Sequence, residues 1–131
     1  MAYLLDADFI IHGLKGDGAT LSLLSRIAPE EIAITWPTLG EVYAGAYYSP
    51  NPDARLDDVR GFLRFFARVG FDDTIMQRFG ELRSFLRRRG LPITDIDLLV
   101  AATAVEYDFT LLTYNRRHFD RIPGLRVYAP S

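Results

Sequence analysis

A chain of 131 residues has the length of one ordinary domain, and folding hides roughly two-thirds of the surface such a chain exposes when unfolded, so one domain over residues 1–131 is expected. The composition, 49% apolar and 24% charged, excludes a disordered tail and a collagen-like repeat, and no apolar stretch approaches the roughly twenty residues of a membrane helix, the longest being Leu98 to Val105. Zero cysteines exclude disulfides and thiolate metal sites, and a net charge of −2 gives no overall bias toward nucleic acid.

Taken in chain order, Tyr3-Leu4-Leu5 is a short apolar run closed by Asp6 and reads as a strand. A carboxylate this early, with no basic segment before it, leaves no secretory core, so a cytoplasmic location is expected. Asp8 is placed to cap a helix beginning at Phe9. Ile32 to Thr35 reads as a second strand, followed by Thr38-Leu39-Gly40-Glu41, which fits the capping box. The prolines of Tyr48-Ser49-Pro50-Asn51-Pro52 mark a loop. Two helical patterns follow, Leu56, Val59, Leu63 and Phe66, then Ile75, Phe79, Leu82 and Leu86, with arginines on the opposite faces. Thr94-Asp95-Ile96-Asp97 fits a second capping box, and the helix it opens is apolar all round from Leu98 to Val105, as expected for one laid against a sheet. Thr110 to Thr113 reads as a third strand. Strands alternating with helices predict an α/β sandwich around a mostly parallel sheet, with ligands bound beyond the carboxyl ends of the strands.

Those ends are acidic. Asp6 and Asp8 follow the first strand, Glu41 follows the second, and Asp95 and Asp97 open the buried helix. Gathered at one rim, such carboxylates repel one another unless protonated, solvated or bound to a cation. Asp6 stands out because it ends a strand directly while Asp8 is the better cap. The chemistry that uses such a cluster is phosphodiester hydrolysis assisted by hard, oxygen-seeking Mg²⁺ or Mn²⁺. Neither His12 nor His118 has a partner histidine at metal spacing, which favours surface or packing roles for both.

Four motifs in this order closely resemble the PIN-domain family, and more narrowly its VapC-type toxin ribonucleases: Tyr3-Leu4-Leu5-Asp6; the Glu41 after the second strand; the run from Gly90-Leu91-Pro92-Ile93-Thr94-Asp95-Ile96-Asp97 through Leu98-Leu99-Val100-Ala101-Ala102; and Thr110-Leu111-Leu112-Thr113-Tyr114-Asn115, continued by His118-Phe119 and Ile122-Pro123-Gly124-Leu125-Arg126-Val127. The resemblance implies a PIN-like three-layer sandwich with a parallel sheet flanked by helices. It also implies a Mg²⁺- or Mn²⁺-dependent endoribonuclease, usually a homodimer, silenced by a cognate VapB-type antitoxin. By the same resemblance Asp6 and Asp97 are metal ligands and Glu41 is the acid that orients water. Asp95 lies in the same turn as Asp97, and residues two apart on a helix diverge, so one faces the metal and the other caps; Asp97 is favoured. Asn115 stands where the family often has a fourth acid, which puts a second metal in question. Thr113 is a candidate to hydrogen-bond a site carboxylate or a phosphate.

Charge is unevenly spread: residues 55 to 89 hold 9 basic and 5 acidic groups, whereas residues 1 to 54 hold 2 and 7. Arg60, Arg64 and Arg68 recur every four residues as one helix stripe, and Arg87, Arg88 and Arg89 end another helix. They read either as solvated faces, the triplet complementing the helix dipole, or as a track for RNA phosphates. Tyr43, Tyr47, Tyr48, Phe62, Phe65 and Phe66 exceed what a small core covers and suggest an interface. Two alternatives remain at this level. One is a PIN-like binding module without catalysis. The other is a haloacid-dehalogenase-like phosphatase, for which Asp6-Ala7-Asp8 is suggestive but Phe9-Ile10, the single Lys15 and the short chain are unfavourable.

Overall fold

The computed structural model describes residues 2–130, and within them a five-stranded sheet organises the chain. The strands are β1 (Tyr3–Leu5), β2 (Ile32–Thr35), β3 (Ala67–Val69), β4 (Thr110–Leu112) and β5 (Arg126–Tyr128). Every pairing is parallel and the spatial order is β3-β2-β1-β4-β5. The helices are α1 (Ala7–Leu14), α2 (Gly18–Ser25), α3 (Trp36–Tyr48), α4 (Pro52–Leu63), α5 (Asp73–Arg88), α6 (Asp95–Glu106) and the single turn α7 (Arg116–Phe119), with a 3₁₀ turn at Pro29–Glu31. None of these helices is long and apolar enough to cross a membrane.

Side chains alternate across the sheet, so neighbouring residues of one strand enter different cores. Leu4, Ala33 and Leu111 face a core built with Ile75, Leu82 and Leu86 of α5, Leu98 and Ala101 of α6, and Phe119. Leu5, Ile32, Ile34 and Leu112 face the opposite core, with Phe9 and Ile10 of α1, Val42 of α3 and Val59 and Leu63 of α4. The result is the expected sandwich of helices, sheet and helices. Both faces of β1, β2 and β4 are covered, which is why these strands read as continuous apolar runs.

The sequence reading missed both edge strands. Ala67-Arg68-Val69 and Arg126-Val127-Tyr128 each carry an arginine and are partly exposed, so neither shows the apolar run of a central strand. The Leu56-to-Phe66 pattern also overran, because α4 ends at Leu63 and the chain turns into β3. The supposed Arg60, Arg64 and Arg68 stripe is therefore not a helix face. Arg60 lies on α4, Arg64 is its C-cap, and Arg68 sits in β3 and donates to the carbonyls of Leu63 and Phe66 at 2.8 and 2.7 Å. Tyr43, Phe62 and Phe66 pack against the α1–α3–α4 core, whereas Tyr47, Tyr48 and Phe65 are exposed.

Chain direction across the sheet reverses between β1 and β4: β1, β2 and β3 step one way, β4 and β5 the other. Open parallel sheets bind ligands in the crevice beyond the strand ends at such a switch point. Asp6 follows β1 there, and Thr113 follows β4.

Candidate active site

Asp6 is held at both carboxylate oxygens. As the N-cap of α1 it has an extended backbone (φ −88°, ψ 171°), and its Oδ1 accepts the Phe9 amide at 2.8 Å. Its Oδ2 accepts the hydroxyl of Thr113, delivered from the neighbouring strand. Asp8, expected to be the cap, instead lies in the first turn of α1, with His12 Nε2 3.9 Å from its carboxylate. One residue thus both caps the helix and enters the cleft, and the sequence expectation had divided these roles between two.

The N-terminus of α3 is capped by Thr35, whose hydroxyl accepts the Thr38 amide at 3.3 Å and stands 3.0 Å from the Thr38 hydroxyl. The capping box read at Thr38 does not form, and Glu41 is left free of cap duty at the cleft mouth. Thr94 does cap α6, accepting the Asp97 amide at 3.3 Å. The two acids of that turn part company: Asp95 is largely exposed and ion-paired with Arg83 of α5, while Asp97 enters the cleft.

The cleft gathers Asp6, Asp8, Glu41 and Asp97 with Tyr114 and Asn115, and no lysine or arginine lines it. Burial raises the pKa of Asp6 to about 6; the Thr113 and Phe9 hydrogen bonds oppose the rise, and the charges of Asp8 and Asp97 add to it. Glu41 is exposed overall, yet partial desolvation and the nearby Asp97 raise its carboxyl above the ordinary range. Desolvation raises Asp97 as well, against the lowering effects of His118 and Thr94.

Asn115 donates its amide to the Thr113 hydroxyl at 2.9 Å, and its side chain lies 3.0 Å from His118 Nδ1. That ring nitrogen is 3.9 Å from Asp97 Oδ2. His118, read from the sequence as a surface or packing residue, therefore adjoins the acid cluster. The available signal was its position three residues after Asn115, the N-cap of α7, a spacing at which the two side chains are neighbours. Tyr114 was also missed: its ring packs on Phe9 and His12, with centroids 5.2 and 4.3 Å away, and its hydroxyl lies 2.6 Å from that of Thr20.

The donors are oxygen-rich and uncompensated, a set that suits a hard divalent cation. Among the described residues no three histidine, aspartate or glutamate side chains converge closely enough to hold an ion by themselves. The cleft thus offers part of a coordination sphere, and Mg²⁺ commonly takes one or two carboxylates and keeps several waters.

A family model, the PIN domain, matches residues 3–125. The tRNA(fMet)-specific endonuclease VapC of Salmonella typhimurium is 28% identical over 127 residues, spanning 97% of this chain and 96% of its own. Ribonuclease VapC2 of Rickettsia felis is 31% identical over 127 residues, with 95% of each chain covered. Among solved structures, VapBC2 of Rickettsia felis bound to a promoter DNA fragment superposes with a TM-score of 0.92 at 28% identity over 100% of both chains. The DNA-bound VapBC of Salmonella typhimurium gives 0.90 at 27% identity over 98% of each.

Proposed function

The chain belongs to the PIN-domain family, and from that premise we propose that it is a VapC-type endoribonuclease, the toxin of a toxin–antitoxin pair, with Asp6, Glu41 and Asp97 as its catalytic acids and Mg²⁺ or Mn²⁺ as cofactor. The observation that carries the reading is the convergence of these three acids, from three distant stretches of chain, in one cleft that no lysine or arginine lines among the described residues. Their intact presence weighs against a binding module that has lost catalysis.

Asp6 and Asp97 would hold the ion, which when bound lowers the pKa of water and offsets the charge of the phosphate. Thr113 and the Phe9 amide fix the Asp6 carboxylate so that it need not reorganise when it binds. Glu41, at the mouth and with a raised pKa, accepts the proton of the attacking water. The water oxygen bonds to phosphorus, the bond to the 3′ oxygen breaks, and that oxygen takes a proton from solvent, so the products carry a 5′-phosphate and a 3′-hydroxyl. The 2′-hydroxyl takes no part, so preference for RNA rests on binding. Asn115, where the family often has a fourth acid, adds no charge to the cleft.

A VapB-type antitoxin is the partner, in keeping with the VapBC complexes this fold matches. Tyr47, Tyr48 and Phe65 are 65%, 94% and 66% exposed, which supports a covered face, in a homodimer or against the antitoxin.

The reading is tested by melting the protein with and without millimolar Mn²⁺ or Mg²⁺, beside Asp6→Asn. A ligand at 100 times its Kd stabilises by about 2.7 kcal/mol, so wild type melts higher with the ion and the variant does not respond. Cleavage is assayed in parallel on initiator tRNA, the substrate named for the Salmonella relative. Undiminished cleavage in EDTA, or an Asp6→Asn protein as active as wild type, overturns it.

A further inference from the structure

We propose that the arginines at the corner between α5 and α6 form the track on which the backbone of single-stranded RNA reaches the acid cleft; this rests on the ribonuclease reading above. The cleft creates the need. Asp6, Asp8, Glu41 and Asp97 repel a phosphodiester, so affinity for RNA must be supplied beside the cleft rather than in it.

Ion pairing shows where cations are available; among the described residues Arg26, Arg64, Arg68 and Arg117 also lack a carboxylate partner, but they stand on or at the end of α2, α4, β3 and α7, with Arg26 and Arg68 donating to carbonyls and Arg64 lying over Phe65. Arg55 is paired with Asp58, Arg60 with Asp57, Arg78 with Glu81 and Glu106, and Arg126 with Asp108. At the end of α5 three such arginines are consecutive. Arg87 and Arg88 are exposed and have no carboxylate partner among the described residues. Arg89 stacks on Phe85 at 3.7 Å and donates only to its carbonyl. Arg121 donates only to the Pro92 carbonyl of the 90–94 loop. Four guanidinium groups without an acid partner among the described residues thus stand at the end of α5 or against the 90–94 loop that leads to Asp97.

The surface there is also shaped. Gly80 and Ser84 line a groove on α5 together with Arg83, Arg87 and Arg88. A second groove, also bordered by Arg83 and Arg87, continues to Pro92 and Ile93. Arg83 is the joint: it pairs with Asp95, two residues before Asp97 on the same helix turn. Complementing the dipole of α5 does not account for this array, because that effect is confined to the last turn, and the array extends back to Arg83 and across to Arg121. Planar, forked guanidinium groups suit phosphate oxygens.

The test is fluorescence anisotropy of a labelled single-stranded 20-nucleotide RNA in EDTA, where cleavage is absent, across a salt series. For single strands each neutralised phosphate contributes about 0.7 to the slope of log affinity against log salt. R87Q/R88Q should bind more weakly, with a slope shallower by about 1.4, while R55Q/R60Q on α4 keeps the wild-type slope. A wild-type slope in R87Q/R88Q, or no salt-dependent binding by wild type, overturns the track. So does an R87Q/R88Q protein that binds RNA normally but loses its antitoxin, since the patch is then a protein interface. Asp6→Asn separates the two claims: if it binds RNA with the wild-type slope and does not cleave, failure of the arginine variant counts against the track alone, whereas an Asp6→Asn protein that still cleaves counts against the nuclease site alone.

Discussion

The Thr113 hydroxyl donates a hydrogen bond to Asp6 Oδ2, although the two residues are 107 positions apart in the chain. Parallel pairing of β1 with β4 sets Leu5 opposite Leu112, so the next residue of each strand meets at the same rim. Thr113 also accepts the Asn115 amide, which makes it the junction between the Asp6 carboxylate and the segment that carries Asn115 and His118.

Thr113→Val keeps the shape and removes that hydroxyl. The buried Asp6 carboxylate loses a charge-assisted bond, a change that costs about 1–3 kcal/mol. Urea denaturation at neutral pH should show a loss in this range. Because the Thr113 bond holds the Asp6 pKa down, the acid limb of the cleavage profile should move to higher pH in the variant.

Burial makes the ionised form of Asp6 costly. Its folded pKa, about 6, lies above the ordinary value of 3.8, so between these pH values the folded state binds the extra proton. Stability from this group is therefore fully present below about 3.8 and is lost as pH rises through about 6. Asn caps helices as well as Asp does and carries no charge. Asp6→Asn should stabilise the protein in EDTA at pH 8 by on the order of 2–3 kcal/mol, and the gain should largely vanish by pH 4. Chemical denaturation at both pH values in EDTA checks this, and an equal effect at the two would contradict it.

The two acids of the first turn of α6 should separate cleanly. Asp95 is solvent-exposed in its pair with Arg83, and such pairs contribute about 0–1 kcal/mol, so Asp95→Asn should alter stability only within that range and leave cleavage intact. Asp97→Asn should lower cleavage by more than the roughly 10–100-fold typical of losing an outer-sphere partner, with the fold retained by circular dichroism.

Tyr114→Phe tests the wall of the cleft. The ring contacts with Phe9 and His12 remain, while the hydroxyl contacts with Thr20 and Asp17, at 2.6 and 3.2 Å, are lost. Thr20 keeps its bond to Asp17, so the expected cost is small, about 1 kcal/mol in thermal or urea unfolding.

What the sequence by itself determined follows from local and periodic signals. Strands covered on both faces must be apolar throughout, so β1, β2 and β4 were legible, as was α6 with its all-round apolar surface. Turn chemistry at Pro50 and Pro52 marked the break between α3 and α4. Asp6, Glu41 and Asp97 were marked by their places just after strands or at a helix start, and family resemblance assigned them roles. Edge strands β3 and β5 escaped because one partner and partial exposure allow an arginine in each. Only the tertiary structure decided which side chains face one another. Strand order brought Asp6 to Thr113, and the packing of α5 on α6 drew Asp95 to Arg83 while Asp97 entered the cleft. Cap geometry gave the cap to Asp6 rather than Asp8, and to Thr35 rather than Thr38. Hydrogen bonds between residues about a hundred positions apart, and ion pairs between separate elements, depend on register and helix placement, and those are set by burial across the whole sheet rather than by any short stretch of chain.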